Sequence, residues 1–334
     1  MFSDLGLVCV SLPVSLTSVA GGAFSGCTNL GAIVWNCGIE VTESALSGIG
    51  NPNLLLYVGD YAQALRSGMR NVVADGLAGR ITLTDNIGED GTHGPSAFYV
   101  PQAFRVQNDI SYTHVYTQQT PISDCGGWET LALPFDVETI THAVNGEAVP
   151  FAAYTGGGKR PFWLCRLTEE GFVDAGKIEA NTPYIISMPN NPQYSPFYCL
   201  NGEITFTARG VTVPATVLHT DSRGSASFIP TFSCIAASPS IYALNVGEQR
   251  WGYAEGSLFD RDYRDVQPFE AYRTVATAGT PYLAIGDELR SETTDVIFVE
   301  VAEEGMMYNL QGIPVINPEK GIYIRNGQKI IVVK

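Results

Sequence analysis

The first sixty residues repeat a pattern of apolar positions. The apolar residues of the first copy recur 23 positions later: Leu7, Val10, Leu12 and Leu16 are followed by Leu30, Ile33, Trp35 and Ile39. A third copy opens at Leu54 and Tyr57, 24 positions after Leu30 and Ile33. A leucine-rich pattern of this period is typical of arrays in which short parallel strands stack on one another. It predicts a leucine-rich solenoid with parallel strands near residues 7–12, 30–35 and 54–58.

The turns that follow these strands repeat as well. The turn residues recur 22 positions later: Val19, Ala23, Phe24, Ser25 and Gly26 match Val41, Ala45, Leu46, Ser47 and Gly48. Fewer than three full copies are present, so the chain is expected to hold the last turns of a longer array. A helix over 60–68, begun by Asp60 and ended by Gly68, and a strand over 80–84 are expected to cap it. The uncapped first copy is expected to permit self-association.

Residues 12–30, which read LPVSLTSVAGGAFSGCTNL, match a known repeat. The run resembles the BspA-like leucine-rich repeats of bacterial surface proteins, and the resemblance covers residues 5–59. It implies attachment to host or microbial partners. The second copy departs from the pattern, with Asn36 at the proline position and Ile49 at the cysteine position. These departures are typical of a degenerate, terminal repeat.

A polar, glycine-rich stretch at 85–96 marks a predicted domain boundary. Beyond it, short β-type runs lie between clusters of Gly, Pro, Asn and Asp, at 98–101, 112–117, 130–135, 162–167, 184–188, 204–207, 227–232, 241–244, 269–275 and 282–285. Such runs predict a β-sandwich region, of one or two subdomains. A second hydrophilic stretch at 286–295 isolates the last residues. The expected fold is therefore mostly β, with domains at 1–84, 97–286 and 296–334.

Three segments of the β region share a further resemblance. Residues 127–137 (GWETLALPFDV), 180–186 (ANTPYII) and 268–272 (PFEAY) resemble a β-rich module of secreted Bacteroidetes proteins, and the resemblance implies no catalytic residue. Residues 307–315 and 320–334 resemble the terminal tail of the same proteins and the C-terminal sorting domains of that phylum. Asn326-Gly327, between two apolar runs, predicts a hairpin. Residues 296–301 and 308–315 are expected to complete its sheet, and the sequence fits both a sorting and a purely structural role.

Composition narrows the classes of partner. The chain has 334 residues, is 45% hydrophobic and carries a formal charge of −15, which disfavours nucleic acid and anionic membranes as partners. No apolar stretch reaches the roughly 20 residues that span a bilayer, and the first residues do not form a signal peptide. The seven cysteines are odd in number and lack the paired spacing of zinc ligands: Cys9, Cys27, Cys37, Cys125, Cys165, Cys199 and Cys234. Buried thiols are expected rather than a disulfide framework.

The search for reactive groups is mostly negative. Cys125 precedes Gly126-Gly127-Trp128 and would need a base from among His93, His114, His142 and His219, so a structural thiol is favoured. Asp85, Glu89 and Asp90 have the oxygens for calcium without its loop spacing, which favours a solvated linker. Lys159 lies in a turn that does not match a phosphate-binding loop, and residues 260–265 read as an exposed, ion-paired loop.

Aromatic side chains offer the remaining candidate surface. Exposed tryptophans stack on sugars, and the candidates are Trp35, Trp128, Trp163 and Trp251, although packing in a core is the more common fate of this residue. Trp35 occupies an inward repeat position, which favours the core. No pair of carboxylates stands out as the acid and base of a glycosidase.

The predicted function is binding or adhesion without catalysis. We expect a secreted or cell-surface protein that recognises a protein or glycan partner, with no catalytic residue, no cofactor, no metal, no nucleic-acid partner and no membrane insertion. The ligand-binding residues are unknown from the sequence. The alternative is a carbohydrate-active enzyme or its accessory carbohydrate-binding module, for which a deep pocket with convergent polar groups would argue.

Overall fold

The computed structural model describes residues 6–59, 71–120, 127–148, 162–169, 171–192, 199–245 and 259–275, together with the backbone of five short strands beyond residue 281. The chain divides into two units, Met1–Ala284 and Ile285–Lys334. The described residues are mostly β, as predicted, and their one helix, α1, is short (Glu43–Leu46). Within the described residues, no helix is long and apolar enough to cross a membrane.

The strands of the first unit are numbered in chain order. They are β1 (Cys9–Leu12), β2 (Ala32–Trp35), β3 (Leu55–Val58), β4 (Val72–Ala74), β5 (Leu77–Ala78), β6 (Ile81–Thr84), β7 (Phe104–Val106), β8 (Asp109–Tyr116), β9 (Trp128–Leu131), β10 (Thr139–His142), β11 (Gly146–Ala148), β12 (Trp163–Thr168), β13 (Gly171–Asp174), β14 (Tyr184–Ser187), β15 (Gly202–Arg209), β16 (Thr212–Val213), β17 (Asp221–Arg223), β18 (Ala226–Pro230), β19 (Tyr242–Leu244), β20 (Phe259–Arg261), β21 (Ala271–Val275) and β22 (Tyr282–Leu283). They form four sheets, ordered β1-β2-β3-β4-β5-β7-β16, β11-β10-β15-β8-β6, β13-β12-β14-β9 and β17-β18-β21-β19-β20-β22.

The first four strands are parallel neighbours in one sheet. Cys9 lies opposite Ala32, at the 23-residue spacing that the sequence predicts. Ala32 lies opposite Leu55 and Ile33 lies opposite Leu56, also 23 positions on, so the predicted match of Tyr57 with Ile33, at 24 positions, is wrong by one residue. The prediction of three parallel strands in one sheet is confirmed. A fourth strand, β4, extends the array beside β3. The pattern did not predict this strand, and the helix predicted over 60–68 lies outside the described residues.

The repeated apolar positions form a core of their own. Side chains alternate between the two faces of a strand, and Leu12, Trp35 and Val58 lie on the same face. They pack in one hydrophobic cluster with Phe24 and Leu30 of the turns. All five are buried. Because each strand and turn stacks on the next copy, this core depends on neighbouring repeats rather than on any single one.

The turns of the array are joined by main-chain hydrogen bonds between copies. The Gly26 amide donates to the Gly48 carbonyl at 3.0 Å, and the Gly22 amide donates to the Ser44 carbonyl at 2.8 Å. Thr42 is the N-cap of helix α1, and its hydroxyl accepts a hydrogen bond from the Ala45 amide. The repeated small residues therefore let one turn lie directly on the next.

The opposite face of the array packs against the β region. Ala32, Leu55 and Val73 share a core cluster with Phe98 and Phe104. At Gly31 the two backbones approach so closely that an added Cβ would lie 2.7 Å from the Phe98 carbonyl carbon and from the Tyr99 nitrogen. The strand face of the array is therefore covered by the same chain, and Gly31 is required by that contact.

The structure differs from the predicted boundary at 85–96. Strand β6 pairs in parallel with β8, with Ile81 opposite Ile110, and β5 pairs with β7, with Leu77 opposite Arg105. Residues 1–84 and 97–286 therefore share sheets and a core instead of forming separate domains. Strand β6, expected to close the repeat array, is the edge of another sheet. A hydrophilic stretch indicates solvent exposure, and exposure occurs on a loop inside a domain as readily as between domains.

Two buried asparagines link the array to β6. Asn53 accepts from the Thr84 amide at 2.9 Å through Oδ1 and donates to the Thr84 carbonyl at 2.8 Å through Nδ2. Asn71 makes the same exchange with Thr82, at 2.9 and 3.0 Å. Each side chain thus imitates a paired strand, and β6 has its outer main-chain groups satisfied without another strand. Asn53 also donates to the Ser96 carbonyl at 2.7 Å.

A third asparagine makes an equivalent link further along. Asn29, 24 positions before Asn53, accepts from the Cys234 amide at 3.0 Å and donates to the Cys234 carbonyl at 3.3 Å. In each case the asparagine directly precedes an apolar residue of its repeat. The array is therefore fixed to the β region by a repeated pattern of side chain to main chain hydrogen bonds.

Among the cysteines of the first unit, Cys9, Cys37, Cys199 and Cys234 are free thiols, and Cys27 and Cys165 are buried. Burial raises the pKa of Cys9 and of Cys234, which keeps these thiols protonated and weakly nucleophilic at neutral pH. Cys27, Cys37 and Cys165 are buried, as the sequence predicts, whereas Cys9, Cys199 and Cys234 are half-buried.

The described strands of the second unit form a small antiparallel sheet. Its strands are β23 (Met307–Tyr308), β24 (Pro314–Val315), β25 (Gly321–Arg325) and β26 (Gln328–Val332). β25 pairs with β26, with Arg325 opposite Gln328, which confirms the predicted hairpin around Asn326-Gly327. β23 pairs with both β24 and β25. Residues 296–301, expected to join this sheet, lie outside the described residues.

The close approach at Gly31 gives a stability prediction. Gly31→Ala should lower the free energy of unfolding by about 1–3 kcal/mol, because the new methyl group must displace the backbone of Phe98 and Tyr99. Gly38→Ala is the matched control, since an added Cβ there has open space. Urea denaturation of both variants measures the difference. Equal stability of the two variants would contradict the packing argument.

The asparagine links give a second stability prediction. Asn53→Ala should cost about 2–4 kcal/mol, because the Thr84 amide and carbonyl and the Ser96 carbonyl lose their partner. Asn36→Ala, at an exposed side chain bonded only to the Ser11 hydroxyl, should cost less than about 0.5 kcal/mol. Thermal melting monitored by circular dichroism compares the two. A similar loss in both variants would show that the buried link is not the source of stability.

Candidate functional site

The histidines proposed as bases have different environments. His142 is buried, donates from Nε2 to the Asn201 carbonyl at 2.9 Å and accepts at Nδ1 from the Asn145 amide at 3.1 Å. Both ring nitrogens are therefore used by the main chain. His219 is exposed. Cys125 lies outside the described residues, so its proposed role as a nucleophile stays a prediction.

The residues considered for calcium do not converge. Asp85 faces inward, whereas Glu89 is exposed and Asp90 accepts hydrogen bonds from the Thr92 amide and hydroxyl at 3.1 and 2.6 Å. Across the described ranges, no group of three or more His, Cys, Asp or Glu side chains is arranged to hold a metal ion. The prediction that this segment is a solvated linker is wrong for Asp85, because Asp85 belongs to a buried cluster.

His114 is the centre of that cluster. Its Nδ1 lies 2.5 Å from Asp85 Oδ2, and its Nε2 lies 2.7 Å from Glu129 Oε2. Carboxylate oxygens only accept, so both ring nitrogens donate and the ring is an imidazolium. The side chain is largely buried, at 19% exposure. We refer to Asp85, His114 and Glu129, with Tyr112 and Tyr116, as the His114 cluster.

Three sequence elements bring the cluster together. Tyr112, His114 and Tyr116 alternate along β8 and so share one face of its sheet. Asp85 directly follows β6, the parallel neighbour of β8. Glu129 comes from β9, a strand of a different sheet. The His114 cluster is therefore an ionic link between two sheets.

The carboxylates decide the charge of His114. Burial by itself would lower the pKa of this imidazole, but the charge of Glu129 and the hydrogen bonds to Asp85 and Glu129 outweigh it and raise the pKa to about 10. Tyr112 donates its hydroxyl to Asp85 Oδ1. Burial, the charge of Asp85 and this hydrogen bond raise the pKa of Tyr112 well above its usual value, so Tyr112 stays a neutral donor.

Tyr116 differs from Tyr112 in the hydrogen bonding of its hydroxyl. The residue is only 2% exposed, and its ring meets the His114 ring edge-on with centroids 4.4 Å apart. Burial raises the pKa of Tyr116 well above its usual value, and the charges of Glu129 and Asp85 raise it further. Within the described part of the chain, its hydroxyl makes no hydrogen bond.

A second ion pair lies beside the cluster. Arg264 Nη1 lies 2.7 Å from Glu270 Oε2, which also accepts from the Gln267 amide at 2.9 Å. Residues 260–265 were expected to pair among themselves, whereas Arg264 pairs with Glu270 outside that segment. The desolvation of Arg264 would lower its pKa, but the nearby charge of Glu270 raises it overall.

Residues of the His114 cluster and Glu270 line a small cavity, which we refer to as the His114 cavity. It has a volume of about 30 Å³, and its lining consists of Asp85, His93, Tyr112, His114, Tyr116, Glu129, Thr130, Leu131, Gln267, Pro268, Phe269 and Glu270. Such a volume matches about one water molecule. A sugar ring does not fit inside it.

The chemistry available to the cluster is limited. His114 donates from both nitrogens, so it has no lone pair with which to act as a general base. If His114 lost a proton, the ring would lose its hydrogen bond to one of the two carboxylates, Asp85 or Glu129. In the sequence, His114 is a candidate base and Asp85 is a candidate calcium ligand, whereas Glu129, which lies in the module motif, is not predicted as a site residue. The available signal was a histidine between two tyrosines at alternate positions of a strand.

The tryptophans considered as sugar-stacking residues are mostly core. Trp35 is 2% exposed and donates from Nε1 to the Ile39 carbonyl at 2.7 Å, and Trp128 is 1% exposed. Trp163 is half-buried, and Trp251 lies outside the described residues. Of the described tryptophans, only Trp163 retains a ring surface that a ligand can reach.

The raised pKa of His114 gives a prediction of pH dependence. Its folded-state value of about 10 lies above the usual 6.5, so the imidazolium stabilises the fold fully below about pH 6.5 and loses its effect as the pH rises through 10. His114→Gln should therefore cost a few kcal/mol, on the order of 3–5, at pH 6 and much less at pH 10. Urea denaturation across this range measures the change.

The control for that experiment is His219→Gln, at an exposed ring outside the cluster. It should leave stability nearly unchanged at every pH. A loss in His114→Gln that stays constant between pH 6 and 10 would contradict the assignment of an imidazolium between two carboxylates.

Comparisons with known proteins give no assignment. No family model matches the chain, no curated protein matches it, and no solved structure matches it. The resemblances of the repeat, the β-rich module and the tail therefore stay predictions. Any function has to be argued from the geometry of the array and of the His114 cluster.

Proposed function

We propose that this chain is a non-catalytic binding protein, secreted or held at a bacterial surface, which attaches to a protein or glycan partner. The observation that carries the proposal is the 23-residue register of β1, β2 and β3. This register supports the interpretation of residues 7–58 as part of a leucine-rich solenoid of the BspA-like type. Repeat arrays of this kind present extended surfaces for recognition.

The partner surface would lie on the loops that follow the strands. The face of the array that carries Ala32 and Leu55 is covered by the β region, so a ligand cannot reach it. The loop after β1 is exposed from residue 13 to residue 15, and Val14 has 80% of its surface exposed. An exposed apolar side chain on an ordered loop is well suited to contact a partner.

The edge of the array supports self-association as a further part of the proposal. Leu7 and Val10 of the first copy are half-buried, whereas their counterparts in the second copy, Leu30 and Ile33, are fully buried. The described strands place β1 at the end of its sheet. Pairing of this edge with another copy would cover both the apolar side chains and the open main-chain groups.

The alternative of a carbohydrate-active enzyme has less support. Among the described residues, polar side chains converge around the His114 cavity, and its volume of about 30 Å³ is too small for a sugar ring. Asp85 and Glu129 both pair with His114, so neither is placed as the acid or base of a glycosidase.

A binding experiment tests the proposal. The full chain is applied to glycan and protein arrays, and positive partners are titrated with Val14→Asp and with Val144→Asp. Both valines are highly exposed, at 80% and 84%, but Val144 lies in the turn between β10 and β11. Val14→Asp should weaken binding by about tenfold or more, and Val144→Asp by less than about twofold.

Two results would count against the proposal. Equal effects of the two substitutions would exclude the loop after β1 as the partner surface. Release of reducing sugar from an array glycan by the wild-type chain would show that the protein is an enzyme.

A further inference from the structure

The Tyr116 hydroxyl is the first of several polar atoms that the fold leaves available in the His114 cavity. The residue is 2% exposed and lines the cavity, and within the described part of the chain its hydroxyl has no hydrogen-bond partner. The hydroxyl oxygen is not among the side-chain atoms that are fully enclosed without a partner, so it keeps contact with open space. Its position at the cavity wall therefore favours a guest that restores a hydrogen bond.

Two carboxylate oxygens share this property. Glu129 uses Oε2 for His114, and Glu270 uses Oε2 for Arg264 and the Gln267 amide. Their Oε1 atoms accept no hydrogen bond from the described residues. Tyr116, Glu129 and Glu270 all line the cavity, so it is bordered by three residues that each have an oxygen left free by the described residues.

The charges around the cavity favour a cation. Three carboxylates, those of Asp85, Glu129 and Glu270, face two cations, His114 and Arg264, which leaves one net negative charge. A guest with a single positive charge would neutralise this net negative charge. A metal ion fits poorly, because the His114 ring separates Asp85 from Glu129 and no described group of acidic, histidine or cysteine side chains is arranged around one point.

The size of the cavity and its opening to solvent restrict the kind of cation that can enter it. About 30 Å³ holds a group of one non-hydrogen atom, such as the nitrogen of an ammonium group. The carboxylates that line it keep between 11% and 23% exposure, so the cavity communicates with solvent. A linear methylene chain can bring an ammonium group in, whereas the ring of an amino sugar cannot follow it.

We propose that the His114 cavity binds a primary ammonium group, supplied by a lysine side chain of a partner protein. The three N–H groups of the lysine head match Tyr116 Oη, Glu129 Oε1 and Glu270 Oε1. The faces of Tyr116 and Phe269 provide apolar and cation–π contact for the last methylene groups. The inference rests on the proposed binding function and names the chemistry that the partner presents.

The experiment uses small probes and the full chain. Binding of Nα-acetyl-lysine methylamide is measured by chemical-shift titration and compared with that of its Nε-acetylated form, which has lost the charge and two N–H donors. Methylammonium and tetramethylammonium chloride form a second pair, since the latter has no N–H group and exceeds the cavity. We expect saturable binding of the lysine probe and of methylammonium in the millimolar range, and none of their controls.

One substitution localises the binding. Tyr116→Phe keeps the ring and removes a hydroxyl that bonds to no described residue, so the fold should be unaffected, while affinity for methylammonium should fall about tenfold. Tyr263→Phe, at a side chain with 44% exposure outside the cavity, is the matched control and should leave affinity unchanged. An equal affinity of Tyr116→Phe and wild type would overturn the proposal.

The remaining outcomes are also decisive. Equal binding of the acetylated and unmodified lysine probes, or of tetramethylammonium and methylammonium, would overturn the ammonium site. Stronger binding of glucosamine than of the lysine probe would exclude lysine as the source. A protein partner found on the array together with no methylammonium binding would leave the proposed function intact and refute this inference alone.

Discussion

The exchange of hydrogen bonds between buried asparagine side chains and the main chain of β6 is the contact on which the arrangement of the first unit depends. A buried amide is costly unless both its oxygen and its nitrogen find partners. Asn53 and Asn71 meet this requirement at Thr84 and Thr82, and they also satisfy an edge that would otherwise need another strand. The array and the β region are thus joined by side-chain hydrogen bonds as well as by the close backbone approach at Gly31.

The His114 cluster plays the corresponding role between two sheets of the β region. An imidazolium between two carboxylates is favourable in a buried site only because the charges compensate and each nitrogen has an acceptor. The same arrangement leaves His114 no basic nitrogen with which to accept a proton. It also explains why a polar cavity persists there: the acceptors that His114 and Arg264 do not use remain beside it.

These two links suggest a division of roles. The β region would act as a rigid support that covers one face of the repeat array and leaves its loops open to a partner. Rigid support matters for recognition, because side chains held by packing lose less entropy when a ligand binds. A lysine site in the His114 cavity would add a point of charge recognition to a surface that is otherwise built from repeat loops.

The sequence alone determined those features in which a local pattern has one structural solution. The recurrence of Leu7, Val10 and Leu12 at a fixed spacing required parallel stacking, and Asn326-Gly327 required a two-residue hairpin turn. The tertiary structure decided what depends on contacts between distant segments. Asp85, His114 and Glu129 meet because two sheets pack together, and β6 pairs with β8 on one side while asparagines satisfy its other edge. Local periodicity records which face of a strand is buried, but it does not record which strand or side chain lies opposite that face.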